Sequence, residues 1–285
     1  MRRLLLAAAC AALLAACSPP AAHEQSAQAP TYPISTQSRD LMELVNATET
    51  VTLRTRADVA TNADASIQPE YAPLPAAQTE AQPATDEMSA QDAGVTRIQV
   101  LLDRAHYSPG VIDGYDGENV RKAISEYQAR NNLTVTGVAD DSLLETLSAR
   151  DSAPALVTYV IAAQDVAGPF VDVPSDLEAQ SRLDRLGYES AAEALAEKFH
   201  MDEDLLRMLN PNADFARPGT EIVVANAGGD LNGSVASIVV DKEAKVVRAF
   251  DANDQLLAFY PATIGSGDAP APTGDFEVRA VALNP

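Results

Sequence analysis

Tryptophan is absent from the 285 residues and aromatic side chains make up only 5% of them. Any cores the chain builds are therefore small and aliphatic. Cysteine occurs only at Cys10 and Cys17, so no disulfide, zinc–thiolate site or thiol nucleophile is possible beyond Cys17. Basic residues are scarce: 20 Lys and Arg stand against 41 Asp and Glu, for a net charge of -21. A chain of that sign is repelled by phosphates, which excludes a nucleic-acid partner and polybasic attachment to a membrane. Histidine is rare as well. His106 and His200 have no neighbours at metal-ligand spacing and read as residues at helix boundaries. No cofactor or metal motif is present.

What is present begins with a positive Arg2-Arg3 followed by an apolar run, Leu4 to Leu14, too short to span a bilayer by itself. Leu14-Ala15-Ala16-Cys17 then resembles the bacterial lipobox. The resemblance implies a signal peptide over 1–17, cleavage before Cys17, and lipidation of its sulfur and new amino end. Several acyl chains would hold the product stably on a membrane. Ser18 in place of aspartate favours the outer over the inner membrane of a Gram-negative bacterium by the same resemblance. The other reading is a plain secretory signal in which Cys17 is incidental.

From 18 to 94 the chain is rich in Ala, Pro, Gln, Thr and Ser, which predicts a disordered linker that cannot bury enough surface to offset chain entropy. Leu41, Leu44 and Val45 share helical spacing within Asp40 to Leu53. They read either as a docking segment or as a transient helix in a spacer, the form expected of so short an isolated helix.

A first module spans 95–150. Ile98, Leu101, Leu102 and Ala105 fall on one helical face, and Ser108-Pro109-Gly110 breaks that helix. Val120, Ile124 and Tyr127 mark a second helix. Asp140 and Asp141 can cap a third that carries Leu143, Leu144 and Leu147. Leu101, Tyr107, Pro109-Gly110, Asp113-Gly114, Gly117, Ala123, Tyr127-Gln128, Leu133 and Gly137 stand in a pattern that resembles the type 1 peptidoglycan-binding domain. On that resemblance peptidoglycan is the partner. Gly114 and Gly117 supply a positive φ or a close approach. Asp113, Tyr115, Asp116 and Asn119 are candidates to hydrogen-bond a glycan–peptide strand, or else turn residues that bond their own backbone.

A second module spans 155–227. Val157 to Ile161 reads as a strand, Ala191 to Phe199 and Leu205 to Leu209 as helices, and Glu221 to Val224 as a closing strand. This βααβ order, with AEALAEKFHMDEDLLRMLNPNADFARPGTEIVV, resembles a LysM module, a family that binds N-acetylglucosamine. Gln164 to Gly187 is longer and less regular than that family's link, so the module reads either as a sugar binder or as a spacer.

Residues 229–285 carry strand signals at 236–240, 246–250 and 256–260, with turns at 242–245 and 251–254, and Phe276-Glu277-Val278 opens another strand. SIVVDKEAKVVRAFDANDQLLAFYPATIGSGDAPAPTGDFEV, with Pro272, Thr273 and Gly274 as its most specific mark, resembles the start of a YkuD-type L,D-transpeptidase catalytic domain. That family cross-links peptidoglycan stem peptides through an acyl-enzyme on a cysteine activated by histidine. The expected His and Cys lie beyond Pro285, so this part reads as an incomplete catalytic domain, inactive alone. A sheet so cut is expected to keep an unpartnered edge and an uncovered apolar face. The fold class is α+β multidomain. The function read from it is a periplasmic, lipid-anchored, peptidoglycan-binding lipoprotein of the L,D-transpeptidase family; the alternative is a non-enzymatic tether between membrane and wall.

Overall fold

A computed structural model describes residues 30–48, 88, 90–174, 176–182, 187–266 and 269–281. Residues 1–17, the expected signal peptide with Cys17, and most of the 18–94 stretch lie outside the described residues. The fold is α+β, as the sequence predicts. Helices are α1 (Thr36–Ala47), α2 (Ala90–Arg104), α3 (Glu118–Arg130), α4 (Asp141–Arg150), α5 (Leu177–Gln180), α6 (Ala191–Lys198) and α7 (Glu203–Leu209). Strands are β1 (Leu156–Val160), β2 (Glu221–Ala225), β3 (Ser237–Asp241), β4 (Val246–Phe250) and β5 (Leu256–Pro261). β1 and β2 form one antiparallel pair, and β3-β4-β5 form an antiparallel meander.

The helical module forms where the apolar periodicity places it. Asp140 caps α4 by accepting from the Leu143 amide, satisfying one of the donors a helix start leaves open. Its core joins Val95, Ile98, Leu101 and Leu102 of α2 to Ile124 and Tyr127 of α3 and to Leu143, Leu144 and Leu147 of α4. Tyr107 and Tyr127 meet edge to face, with ring centroids 5.2 Å apart. α2 has a second apolar side that the sequence pattern did not assign: Ala93 and Val100 belong to the neighbouring core. A helix apolar on both sides is buried on both, and α2 is a wall shared by two cores.

Of the two readings of the Leu41, Leu44 and Val45 spacing, the structure shows the docking segment, and the expected disordered linker is interrupted over Tyr32 to Ala47. α1 packs Leu41 and Val45 into the core of the βααβ module. Ser35 caps its start, and Arg97 of α2 donates to the Asn46 and Thr48 carbonyls at its end. A cation there opposes the helix dipole favourably. Asn46 takes the place of a strand neighbour: its side chain accepts from the Leu156 amide and donates to the Leu156 carbonyl, both at 2.9 Å. Upstream, Tyr32 pairs with β2 through Tyr32 N to Gly219 O at 2.8 Å and Glu221 N to Tyr32 O at 2.7 Å. A helix marginal in isolation becomes stable once its apolar face and both ends find partners.

In the βααβ module, Asp202 caps α7, and a 3-10 turn, Ala163–Val166, and α5 occupy the long link. Asp165 accepts from Tyr159 Oη at 2.6 Å, Lys198 Nζ at 2.8 Å and the Ala162 amide at 2.8 Å, joining β1 to α6. Burial pulls the Asp165 carboxyl upward, but the hydrogen bonds from Lys198, Tyr159 and Ala162 outweigh it and hold its pKa below the usual value. The stabilisation is therefore complete above about pH 4, the unfolded value, and is lost as pH falls toward the depressed folded one. Replacing Asp165 by asparagine is expected to lower the urea midpoint at pH 7. The gap from the parent should shrink as pH falls from 5 to 3; a gap constant with pH would refute the assignment.

Three further expectations change. Gly117 has φ −90° and serves as the N-cap of α3; of the two loop glycines, only Gly114, at φ 79°, is left-handed. Residues 275–281 form no strand, and Phe276, Val278 and Val281 are exposed, because no neighbouring strand among the described residues offers them a ladder. The apolar face of the meander is covered: Ala244, Val246 and Phe259 join the core of the helical module. β3 nonetheless presents Ile238, Val239 and Val240 to solvent, in keeping with an open edge.

Candidate functional site

The segment from His106 to Asn119 links all three parts. Both His106 (φ 63°) and His200 (φ 57°) turn the chain at a helix end and then use their carbonyls. His106 O accepts from Phe259 N at 2.8 Å, and Ser108 N donates to Phe259 O at 2.9 Å. On the other side, Ile112 N donates to His200 O and Asp202 N to Ile112 O, both at 2.9 Å. Asp103, at the end of α2, accepts from the Gly228 amide at 2.8 Å and faces His200 Nδ1 at 3.1 Å. At Gly228 a side chain would lie 2.9 Å from the Asp103 carbonyl, so the chain can pass this close to α2 only as glycine.

The loop carrying the candidate ligand residues is braced from inside by Gln99, a fully buried side chain on α2. Its carbonyl accepts from the Asp113 amide at 3.2 Å and the Gly114 amide at 2.8 Å, while its NH2 donates to Asp113 Oδ1 at 2.7 Å. Asp113 Oδ1 also accepts from the Tyr115 amide at 2.9 Å. Gln128 on α3 does the same for the next loop, accepting from the Thr136 and Gly137 amides, both at 2.9 Å. Periodicity sorts apolar residues only, so neither buried glutamine stood out as a loop brace in the sequence.

The four candidates have different settings. Asp113 organises the turn. Asp116 pairs with Arg121 at 3.0 Å. Tyr115 is 62% exposed. Asn119, in the first turn of α3, faces a cleft it shares with Glu118, Lys122, Lys245, Pro261 and Thr263. Lys122 and Lys245 were not among the residues singled out from sequence, because the cleft exists only where the meander meets the helical module. Pro272, Thr273 and Gly274 lie apart from this loop. Lys242 fastens their segment to the β3–β4 turn by donating to the Ala271 carbonyl at 2.9 Å and to Thr273 Oγ1 at 2.7 Å.

Residues 91–147 match the family described as "Putative peptidoglycan binding domain". The match covers α2, α3 and α4 with both glutamine-braced loops, and this part of the chain is a type 1 peptidoglycan-binding domain. Among curated proteins, the chain is similar to the carboxy-terminal processing protease CtpB of Bacillus subtilis (strain 168), 36% identical over 81 residues. That stretch is 28% of this chain and 16% of the protease, so the chain spans only a small part of that relative's length. The matched domain points to association with the cell wall. Among the described residues no helix is long and apolar enough to cross a membrane.

Proposed function

We propose that the protein is a cell-wall lipoprotein of the L,D-transpeptidase family: it is held to a membrane through Cys17 and grips peptidoglycan through residues 91–147. The observation that carries the wall-binding part is the matched domain with its braced loop, Asp113 to Asn119, presented at the surface. The βααβ module is read as LysM-like, supported by the placing of α6 and α7 between β1 and β2, after the 3-10 turn and α5 of the long link, and by the antiparallel pairing of β1 with β2. The meander is read as the opening of a transpeptidase domain, supported by the Pro272-Thr273-Gly274 segment and its attachment through Lys242.

The chemistry of that family uses a thiolate beside an imidazole, with backbone donors for the oxyanion. Residues 1–285 hold no cysteine after Cys17 and no histidine after His200. Their part in such a reaction is to hold the wall polymer close to the acyl-transfer site. Reading the coding sequence past residue 285 tests this assignment: His codons and a Ser-x-Gly-Cys segment in frame support it, and an in-frame stop removes it. With a stop there, the non-enzymatic tether is the reading that stands, since it uses only the residues present.

Wall binding is tested by co-sedimentation of the purified protein with isolated sacculi. The expected result is pelleting with sacculi and a soluble protein without them. A protein that stays in the supernatant with sacculi present would reject the proposal.

A further inference from the structure

The cleft at the start of α3 is about 210 Å³ in volume and lies between that helix and the ends of β4 and β5. On a chain with net charge -21 it gathers two ammonium groups against one carboxylate. Lys122 is the inner group, with its side chain 10% exposed; its partner Glu118, at 2.6 Å, is 68% exposed and forms the rim. An ammonium has three donors, and Glu118 takes one. The hydrogen bond from Lys122 also lowers the Glu118 pKa, so the rim stays anionic and the pair intact.

Lys245 supplies the second charge. It sits at φ 55°, a conformation that disfavours a residue with a long side chain. Its carbonyl accepts from the Ala262 amide at 2.8 Å, which fixes its backbone beside the cleft. Its ammonium makes no direct hydrogen bond or ion pair among the described residues, and its charge acts on the rim carboxylate of Glu118, adding to the effect of Lys122. Gly117 gives α3 no side-chain cap, leaving first-turn amides open to an acceptor. Gly110 lies against two of the lining residues: a side chain there would meet Asn119 Nδ2 at 3.4 Å and Pro261 at 3.8 Å.

The volume is below the roughly 300–1,000 Å³ of a typical small-molecule pocket. It suits the end of a chain better than a run of glycan. Peptidoglycan offers two kinds of surface, uncharged sugar hydroxyls and peptides that end in a carboxylate, and a pair of ammonium groups selects the second. We propose that this cleft binds the free C-terminal carboxylate of a peptidoglycan stem peptide, held by Lys122 and Lys245 with Asn119 on the adjoining peptide group. The assignment rests on the wall-binding reading and gives it a chemical specificity.

The test is a titration of the protein, followed by amide NMR, with N-acetyl-D-alanyl-D-alanine, its C-terminal amide and chitotetraose. The free acid is expected to shift the amides of Asn119, Lys122, Lys245 and Thr263. The amide and Lys245→Gln should each weaken binding by about tenfold or more, the worth of one charge-assisted hydrogen bond. The Lys245→Gln spectrum elsewhere serves as the control for folding. Equal binding of acid and amide, an unchanged affinity in Lys245→Gln, or shifts with chitotetraose alone would overturn the assignment. So would no shift with any of the three. Sacculus sedimentation run in parallel separates the two ideas: pelleting without dipeptide binding leaves the wall-binding reading and removes the subsite. A dipeptide that binds to a protein that does not pellet supports the subsite alone.

Discussion

Replacing Phe259 by alanine is expected to cost about 3–5 kcal/mol of stability, the range for truncating a buried phenylalanine. Phe259 is fully buried, yet it comes from a strand and fills the core of a helical module. Truncation empties space that Tyr107 and Tyr127 cannot readily collapse into, since their rings already support each other edge to face. The loss also loosens the two backbone bonds that pair Phe259 with His106 and Ser108. Arg248 remains as a second tie, donating to the buried Glu126 carboxylate at 2.9 Å. Urea unfolding gives the size of the effect, and hydrogen exchange gives its location: β5 amides should lose protection before those of α3. A loss under about 1 kcal/mol, with β5 still protected, would mean that the meander stands without the helices.

Asn210→Leu should be comparably severe, at about 3–5 kcal/mol, because several buried backbone groups lose their partners together. Asn210 ends α7 and is 2% exposed. Its amide donates to the Leu206 carbonyl at 2.8 Å and the Val223 carbonyl at 2.7 Å, and its oxygen accepts from the Val223 amide at 2.6 Å. Val223 belongs to β2, so one side chain closes a helix end and satisfies a strand edge. Leucine of similar size fills the space and satisfies none of these groups, which separates hydrogen bonding from packing. Thermal unfolding of Asn210→Leu beside Asn210→Asp checks the account. Leucine tolerated as well as the parent residue would show that water replaces the lost partners.

How much of this was legible in the sequence follows a physical line. Elements stabilised by their own periodicity were found: α2, α3, α4, the βααβ order and the three strands of the meander all fall within a few residues of their expected places. What the sequence hid depends on partners far along the chain. α1 is fixed by Arg97 and Leu156, and no local pattern announces either. Phe276 to Val278 has strand composition but no neighbour to pair with, and composition alone does not make a ladder. The turn from Asp113 to Asn119 is legible from its Asp-Gly pairs, while its brace, Gln99, and the cleft lysines Lys122 and Lys245 are not. A buried glutamine and a lysine at a turn look like surface residues until the elements around them are assembled.

The pairing of Tyr32 with β2 changes how far such a protein can reach. With the whole of 18–94 free, a body held at Cys17 could stand as much as about 270 Å from its lipid at full extension. Fastening the chain at Tyr32 limits the leash from Cys17, by contour length alone, to about 50 Å. On the proposed lipid anchor, the wall-binding face then works within a thin layer next to the membrane, and the ratio of the strand density in that layer to the Kd of the face sets how often it is occupied. Lengthening the leash by inserting glycine–serine repeats before Tyr32 would move the zone outward without altering a single contact in the folded body.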